Sequence, residues 1–170
     1  MKMPDDIAAA FNDQITMELG SSIAYLQIAA HFESENLVGM ASWMRRQAEE
    51  EKIHAHRFID FVLDRGNEVK IGAIAAPKSD FATVEAAFAA TLDQERSVTE
   101  AIHDLYRLAT DKGDLACYPI LQWFIAEQNE EESTVETILE RVKLAGEESG
   151  AILLLDNELG SRGGGETPTE

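Results

Sequence analysis

Residues 40–61 read MASWMRRQAEEEKIHAHRFIDF. A 4-3-4-3 step through them selects Met40, Met44, Gln47, Glu51, His54, Phe58 and Phe61, the spacing of a helical face that packs against other helices. In the middle of that face an acid and an imidazole stand where hydrophobes belong. The same step selects Phe11, Ile15, Glu18, Ser22, Tyr25, Ala29 and Phe32 earlier in the chain. Further on it selects Val84, Phe88, Thr91, Glu95, Val98, Ile102, Leu105 and Ala109, then Leu121, Phe124, Gln128, Glu131, Val135, Ile138 and Val142. Each of the four stripes is interrupted near its middle by one glutamate.

Working outward, the periodicity predicts helices over 6–34, 37–65, 83–112 and 115–145, with a short apolar fifth helix over 150–159. Glu35-Asn36 offers a turn and an N-cap before the second helix. Gly66-Asn67 stops that helix, Thr83 caps the third, and Gly146 and Gly150 bracket the link to the fifth. Two of the connections are short, so the first two helices form one hairpin and the third and fourth another. The link over 66–82 is long and includes a strand-like stretch, Glu68-Val69-Lys70-Ile71. Sixteen extended residues reach about 53 Å, beyond the roughly 44 Å length of a 29-residue helix. The second and third helices are therefore expected to run parallel. The fold class is all-α, a four-helix bundle with one long crossover. Residues 1–160 are read as one domain and 161–170 as a disordered, Gly-rich polar tail.

Bulk composition narrows the function classes. Among 170 residues there are 32 acids and 14 bases, a formal charge of −18, which argues against nucleic acid as a partner. No apolar run is long enough to span a bilayer, and the first residues lack the apolar segment of a secretory signal. The single cysteine, Cys117, excludes an internal disulfide and fits a reducing cytoplasm. His31, His56 and His103 fall off the stripes and are expected at the surface.

The interrupting glutamates converge in depth. Glu18 and Glu51 lie at similar distances from the first turn, as do Glu95 and Glu131 from the last interhelical turn. An unpaired buried charge costs several kcal/mol, and four of them rival a domain's whole stability of roughly 5–15 kcal/mol. No lysine lies in the stripes to neutralise them, so protons, water or metal ions must. Glu51 and His54, three apart on a helix, share a face and are able to ligate one ion. Carboxylates with one nitrogen and no thiolate suit iron or manganese, with zinc as a competitor. Glu50, Glu127 and Glu130 flank these positions, either as a solvated acidic face or as an accessory metal site. Tyr25 shares the face of Glu18, two turns along, as a core aromatic or as a donor of a hydrogen bond or an electron.

At these residues the chain resembles the ferritin family, specifically the non-haem bacterial ferritins. The resemblance covers about 6–160. It is carried by Glu18 with Tyr25, by Ala48-Glu49-Glu50-Glu51-Lys52-Ile53-His54-Ala55, by Leu92-Asp93-Gln94-Glu95-Arg96 and by Gln122-Trp123-Phe124-Ile125-Ala126-Glu127-Gln128. It implies one iron on Glu18, Glu51 and His54, and a second on Glu51, Glu95 and Glu131, with Gln128 beside it. It further implies a third iron site at Glu50, Glu127 and Glu130. The implied activity is oxidation of Fe(II) by O2 or H2O2 and storage of ferric mineral in a hollow shell of 24 subunits. Helix 150–159 would line the four-fold axis. Haem-binding bacterioferritins carry a second E-x-x-H where this chain has Glu127-Gln128-Asn129-Glu130, and a haem-ligating methionine where it has Lys52. No haem is therefore expected. A rubrerythrin-type oxidase would show two E-x-x-H motifs and a Cys-rich segment, and a DNA-binding mini-ferritin often has a basic tail. This chain has one such motif on its stripes, one cysteine and an acidic tail.

Overall fold

The computed structural model describes residues 2–146 and 148–161. It contains five α-helices: α1 (Asp5–Ser34), α2 (Val38–Asp64), α3 (Val84–Asp111), α4 (Tyr118–Ala145) and α5 (Ser149–Ser161). A turn of 3-10 helix, Leu115–Cys117, precedes α4, and Pro119 follows at the start of α4, where its missing N–H is harmless. Thr83 caps α3 through a bond from the Ala86 N–H to its Oγ1 at 3.0 Å. Among the residues picked out by the 4-3 step, only Phe61 and Val84 are half-buried; the rest are buried. Most of the predicted tail, 162–170, lies outside the described residues.

The bundle's ends show how the helices run. At one end Asn67 exchanges hydrogen bonds with the backbone of Met3, Lys112 pairs with Asp6, and Arg65 pairs with Asp114 at 2.7 Å. That end therefore gathers the start of α1 and the finishes of both α2 and α3. The last two are parallel, as the crossover length allows. At the other end the crossover's Phe81 packs edge-on against His31, a half-buried residue near the finish of α1.

Two expectations are corrected. The stretch Glu68–Ile71 is not a strand; no strand occurs among the described residues. Its alternating Val69 and Ile71 have no sheet to join. Instead the crossover lies along α1, where the Asn12 amide donates to Glu68 O at 3.1 Å. The Lys70 N–H donates to Asn12 Oδ1 at 2.8 Å and the Gly72 N–H to Thr16 Oγ1 at 2.9 Å. Nor does the 35–36 turn supply a side-chain cap for α2. Asn36 takes the left-handed conformation (φ 62°) that ends α1, and α2 begins without a side-chain cap of its own. Asp156 of α5 accepts from the Met40 N–H at 2.8 Å and so caps α2 from across the fold.

That bond belongs to a tight docking of α5. A Cβ on Gly39 would lie 1.9 Å from the Asp156 carbonyl oxygen, and one on Gly160 would lie 3.0 Å from the Gly39 Cα. Arg46 donates to Leu159 O at 2.7 Å, and Arg141 pairs with Glu158.

The core is not continuous. One apolar cluster packs Tyr25, Phe32, Met40, Met44, Phe88 and Ile138 with their neighbours. A second packs Phe11, Ile15, Phe58, Ile102, Leu121 and Phe124 with theirs. Between them in sequence on every long helix comes the interrupting glutamate: a polar belt crosses the bundle at mid-height.

Candidate metal centre

The belt is held in register by bonds between helices. Ser22 Oγ donates to Ala48 O at 2.7 Å, linking α1 to α2. Gln94 Nε2 donates to Ser21 Oγ at 2.8 Å, linking α3 to α1. Thr99 Oγ1 donates to Glu132 Oε1 at 2.5 Å, linking α3 to α4. These short polar side chains let the helices approach closely enough for the acids to meet.

Glu18, Glu51, Glu95 and Glu131 are all buried, the first and third at 0 % exposure. One oxygen each of Glu18 and Glu51 and a ring nitrogen of His54 lie within 4.8 Å of one another, close enough to share an ion. His54 Nδ1 is 3.4 Å from Glu51 Oε2, yet out of line for a hydrogen bond. Among the described residues, Glu18 Oε2 and His54 Nδ1 are the buried side-chain polar atoms with no hydrogen-bond partner. Such orphans are uncommon and costly. Here both belong to the same three-residue group.

Glu95 and Glu131 join neither of the close ligand groups. Donors reach both: Tyr25 Oη donates to Glu95 Oε1 and Gln128 Nε2 to Glu95 Oε2 (3.2 Å), and Gln47 Nε2 donates to Glu131 Oε2 (3.1 Å). The belt's electrostatics nonetheless couple all four. Burial and then the Glu51 charge push Glu18 far above the usual carboxylate range. Burial and then Glu95 do the same to Glu51, and burial raises Glu95. Burial, reinforced by Glu95 and Glu50, pushes Glu131 up to about 9. Without cations the belt therefore holds protons near neutral pH. Burial and the Glu95 charge also keep the Tyr25 hydroxyl protonated well above its ordinary range.

A second group lies against the first. Ligand atoms of Glu50, His54 and Glu127 are also within 4.8 Å of one another, and His54 Nε2 is 4.0 Å from Glu127 Oε1. His54 thus stands between two acidic groups. Glu130 is exposed and belongs to neither group, though its charge helps to raise Glu127 and Glu131. Three steps of 100° from Glu127 leave Glu130 about 60° off that face, whereas the fourth step to Glu131 points it inward. On the far side Trp123 stacks beneath the Arg57 guanidinium, 3.8 Å away, and meets the His54 ring edge-on at 5.8 Å.

Sequence reasoning had not singled out Gln14, whose Nε2 donates to Glu18 Oε1 at 2.8 Å. The signal was available, since position 14 is one turn before Glu18 on the same face.

A four-helix bundle that gathers carboxylates and an imidazole at mid-height is a protein built to hold metal ions between its helices. The chain belongs to the ferritin-like family, whose domain matches residues 8–145. It is 35% identical to the bacterial non-heme ferritin of Staphylococcus aureus over 92% of this chain and 95% of that protein. The bacterial non-heme ferritin of Staphylococcus epidermidis is equally similar. Among solved structures, the open-pore ferritin of the archaeon Archaeoglobus fulgidus superposes with a TM-score of 0.93 at 40% identity. That match covers 95% of this chain and 98% of the other. A closed form of the same ferritin, engineered by site-directed mutagenesis, also gives a TM-score of 0.93, covering 99% of that chain.

Proposed function

We propose that this chain is a ferritin subunit that oxidises Fe(II) at a two-iron centre within its own bundle and stores the ferric product. The observation that carries the reading is the pair of unpartnered buried atoms, Glu18 Oε2 and His54 Nδ1, in a group with Glu51 compact enough to take an ion. Iron is the substrate. One Fe(II) is held by Glu18, Glu51 and His54, and a second by Glu51, Glu95 and Glu131 with Gln128 beside it. Each ion gives one electron, and O2 takes two electrons and two protons to leave as H2O2; H2O2 is the alternative oxidant. The carboxylates balance the extra positive charge on Fe(III). Tyr25 acts on Glu95, fixing its orientation through the hydroxyl.

Glu50 and Glu127 form the flanking third iron site with His54 at its edge; Glu130 reaches it only by turning inward from solvent. The reading of the centre as free of haem is supported by the non-heme relatives and by Lys52, which pairs with Glu49 at 2.6 Å. Assembly into a hollow shell of 24 copies is supported by apolar side chains left exposed on several elements, among them Leu26, Ile53, Leu115, Leu144 and Leu154. Among the described residues no helix is long and apolar enough to cross a membrane, and the proposed location is the cytoplasm.

The test combines size and iron loading. The protein should elute as a large shell and take up many irons per subunit. Glu51→Ala and His54→Ala should keep the shell yet lose rapid Fe(II) oxidation. The drop should exceed the roughly 10–100-fold that loss of a mere supporting residue costs. Unaltered rates in both variants would falsify the assignment.

A further inference from the structure

Three glutamines stand in the belt on three different helices, and each gives its amide to a different glutamate. Gln14 of α1 donates to Glu18 Oε1 at 2.8 Å, Gln47 of α2 to Glu131 Oε2 at 3.1 Å, and Gln128 of α4 to Glu95 Oε2 at 3.2 Å. All three are buried, at 3 %, 9 % and 1 % exposure. A buried amide is costly unless paired, so burial at these positions is tied to the carboxylates they meet. Glu51 is the exception. No glutamine amide reaches it, although it lies in the same layer.

Glu18 and Glu131 each carry one such amide on a single oxygen. A carboxylate that serves one ion needs one oxygen directed at that ion and gains from having the other anchored. An amide N–H favours the charged form and restricts rotation about the terminal torsion, which is otherwise broad. Gln14 leaves Glu18 Oε2 without a partner, directed to the metal group. Gln47 is shared, since its Nε2 also lies 3.4 Å from Glu50 Oε2, and so it ties the flanking acids to Glu131.

We infer that Gln14 and Gln47 are positioning residues of the centre: Gln14 anchors Glu18 Oε1 and leaves Oε2 for the ion shared with Glu51 and His54, and Gln47 anchors Glu131 Oε2 for the ion shared with Glu95. This rests on the two-iron reading above. The consequence is selective. Of the two ions that share Glu51, Gln14 supports the one on Glu18 and His54, and Gln47 the one on Glu95 and Glu131. A groove of about 420 Å³ between α1 and α3 is lined in part by Gln14, so an apolar side chain of similar length can be accommodated there.

The experiment uses Co(II), which does not react with O2 at this site as Fe(II) does, on the assembled protein. Crystals are equilibrated over a series of Co(II) concentrations, and the occupancy of each position is read from anomalous diffraction; melting temperature is recorded alongside. Wild type should fill two positions sharing Glu51. In Gln14→Leu the position beside His54 should need about tenfold more Co(II) to reach half occupancy, the scale expected for supporting residues, with the other unchanged. Gln47→Leu should show the reverse pattern. The shortened amides Gln14→Asn and Gln47→Asn, which keep polarity but lose reach, should repeat each pattern and serve if a leucine variant does not fold. Equal weakening of both positions, or none, overturns the proposal while leaving the two-ion centre standing. Failure of wild type to fill two positions overturns the two-ion reading itself, and this inference with it.

Discussion

Glu131 is the most exposed of the four belt glutamates, at 7 %, and its carboxyl titrates at about 9 against an ordinary 4.5. The folded chain therefore binds this proton more tightly than the unfolded chain does. Its contribution to stability is complete below 4.5 and is lost as pH rises toward 9. Metal-free protein should thus melt at lower temperature at pH 9 than at pH 6. The slope should be shallower in Glu131→Gln, and calorimetry on chelator-treated samples checks both. Metal binding should release protons from the belt. Isothermal titration with Zn(II) in buffers of different ionisation enthalpy would show this as buffer-dependent heat. Tyr25→Phe removes the hydroxyl that donates to Glu95, and stopped-flow oxidation of Fe(II) should slow about tenfold with little change in the number of ions bound. A rate equal to wild type would reduce Tyr25 to a packing role.

At the scale of elements, the docking of α5 is the most demanding contact. Gly39→Ala places a methyl 1.9 Å from backbone oxygen, and neither side can yield as a flexible side chain would. Overpacking of this kind costs about 1–3 kcal/mol, so the melting temperature should fall by several degrees. Asp156→Ala should loosen the same joint by removing the cap on α2, at about 1 kcal/mol; faster trypsin cleavage at Lys143 would report it, and an unchanged digestion rate would count against the joint. This is also where reading from sequence stopped. The helices and their glutamates were legible because a helix writes its buried face into a local period, as the stripe through Glu51 and His54 does. The Met40–Asp156 bond joins residues 116 apart, and no local pattern announces it. Val69 and Ile71 mimicked a strand because alternation records only which side of an extended chain is covered. It does not say whether another strand or the side chains of Asn12 and Thr16 satisfy the backbone. Glu130 is grouped with Glu50 and Glu127 by its place on the flank of the stripes and by the family resemblance, and it lies about 60° round the helix from Glu127.

At the scale of the whole molecule, the net charge of −18 and the exposed apolar side chains act in opposite directions. Apolar contacts such as those of Leu115 and Leu144, exposed at 67% and 87%, favour association, while like charge opposes it and is screened by salt. The assembled state should accordingly gain resistance to dissociation as ionic strength rises, a trend that light scattering between low and moderate salt would reveal. Dissociation promoted by salt would show instead that ion pairs between copies dominate the contacts.

The polar belt divides the core into two apolar clusters joined mainly by hydrogen bonds and by whatever cations the belt holds. Cooperative unfolding depends on contacts that transmit disorder from one region to the next, and such a seam is where transmission is weakest. Native-state amide exchange should therefore resolve the metal-free subunit into two separately opening units, one on either side of Glu18, Glu51, Glu95 and Glu131. Loading the seam should fuse them into one. In that sense the cargo sets the size of the folding unit that carries it.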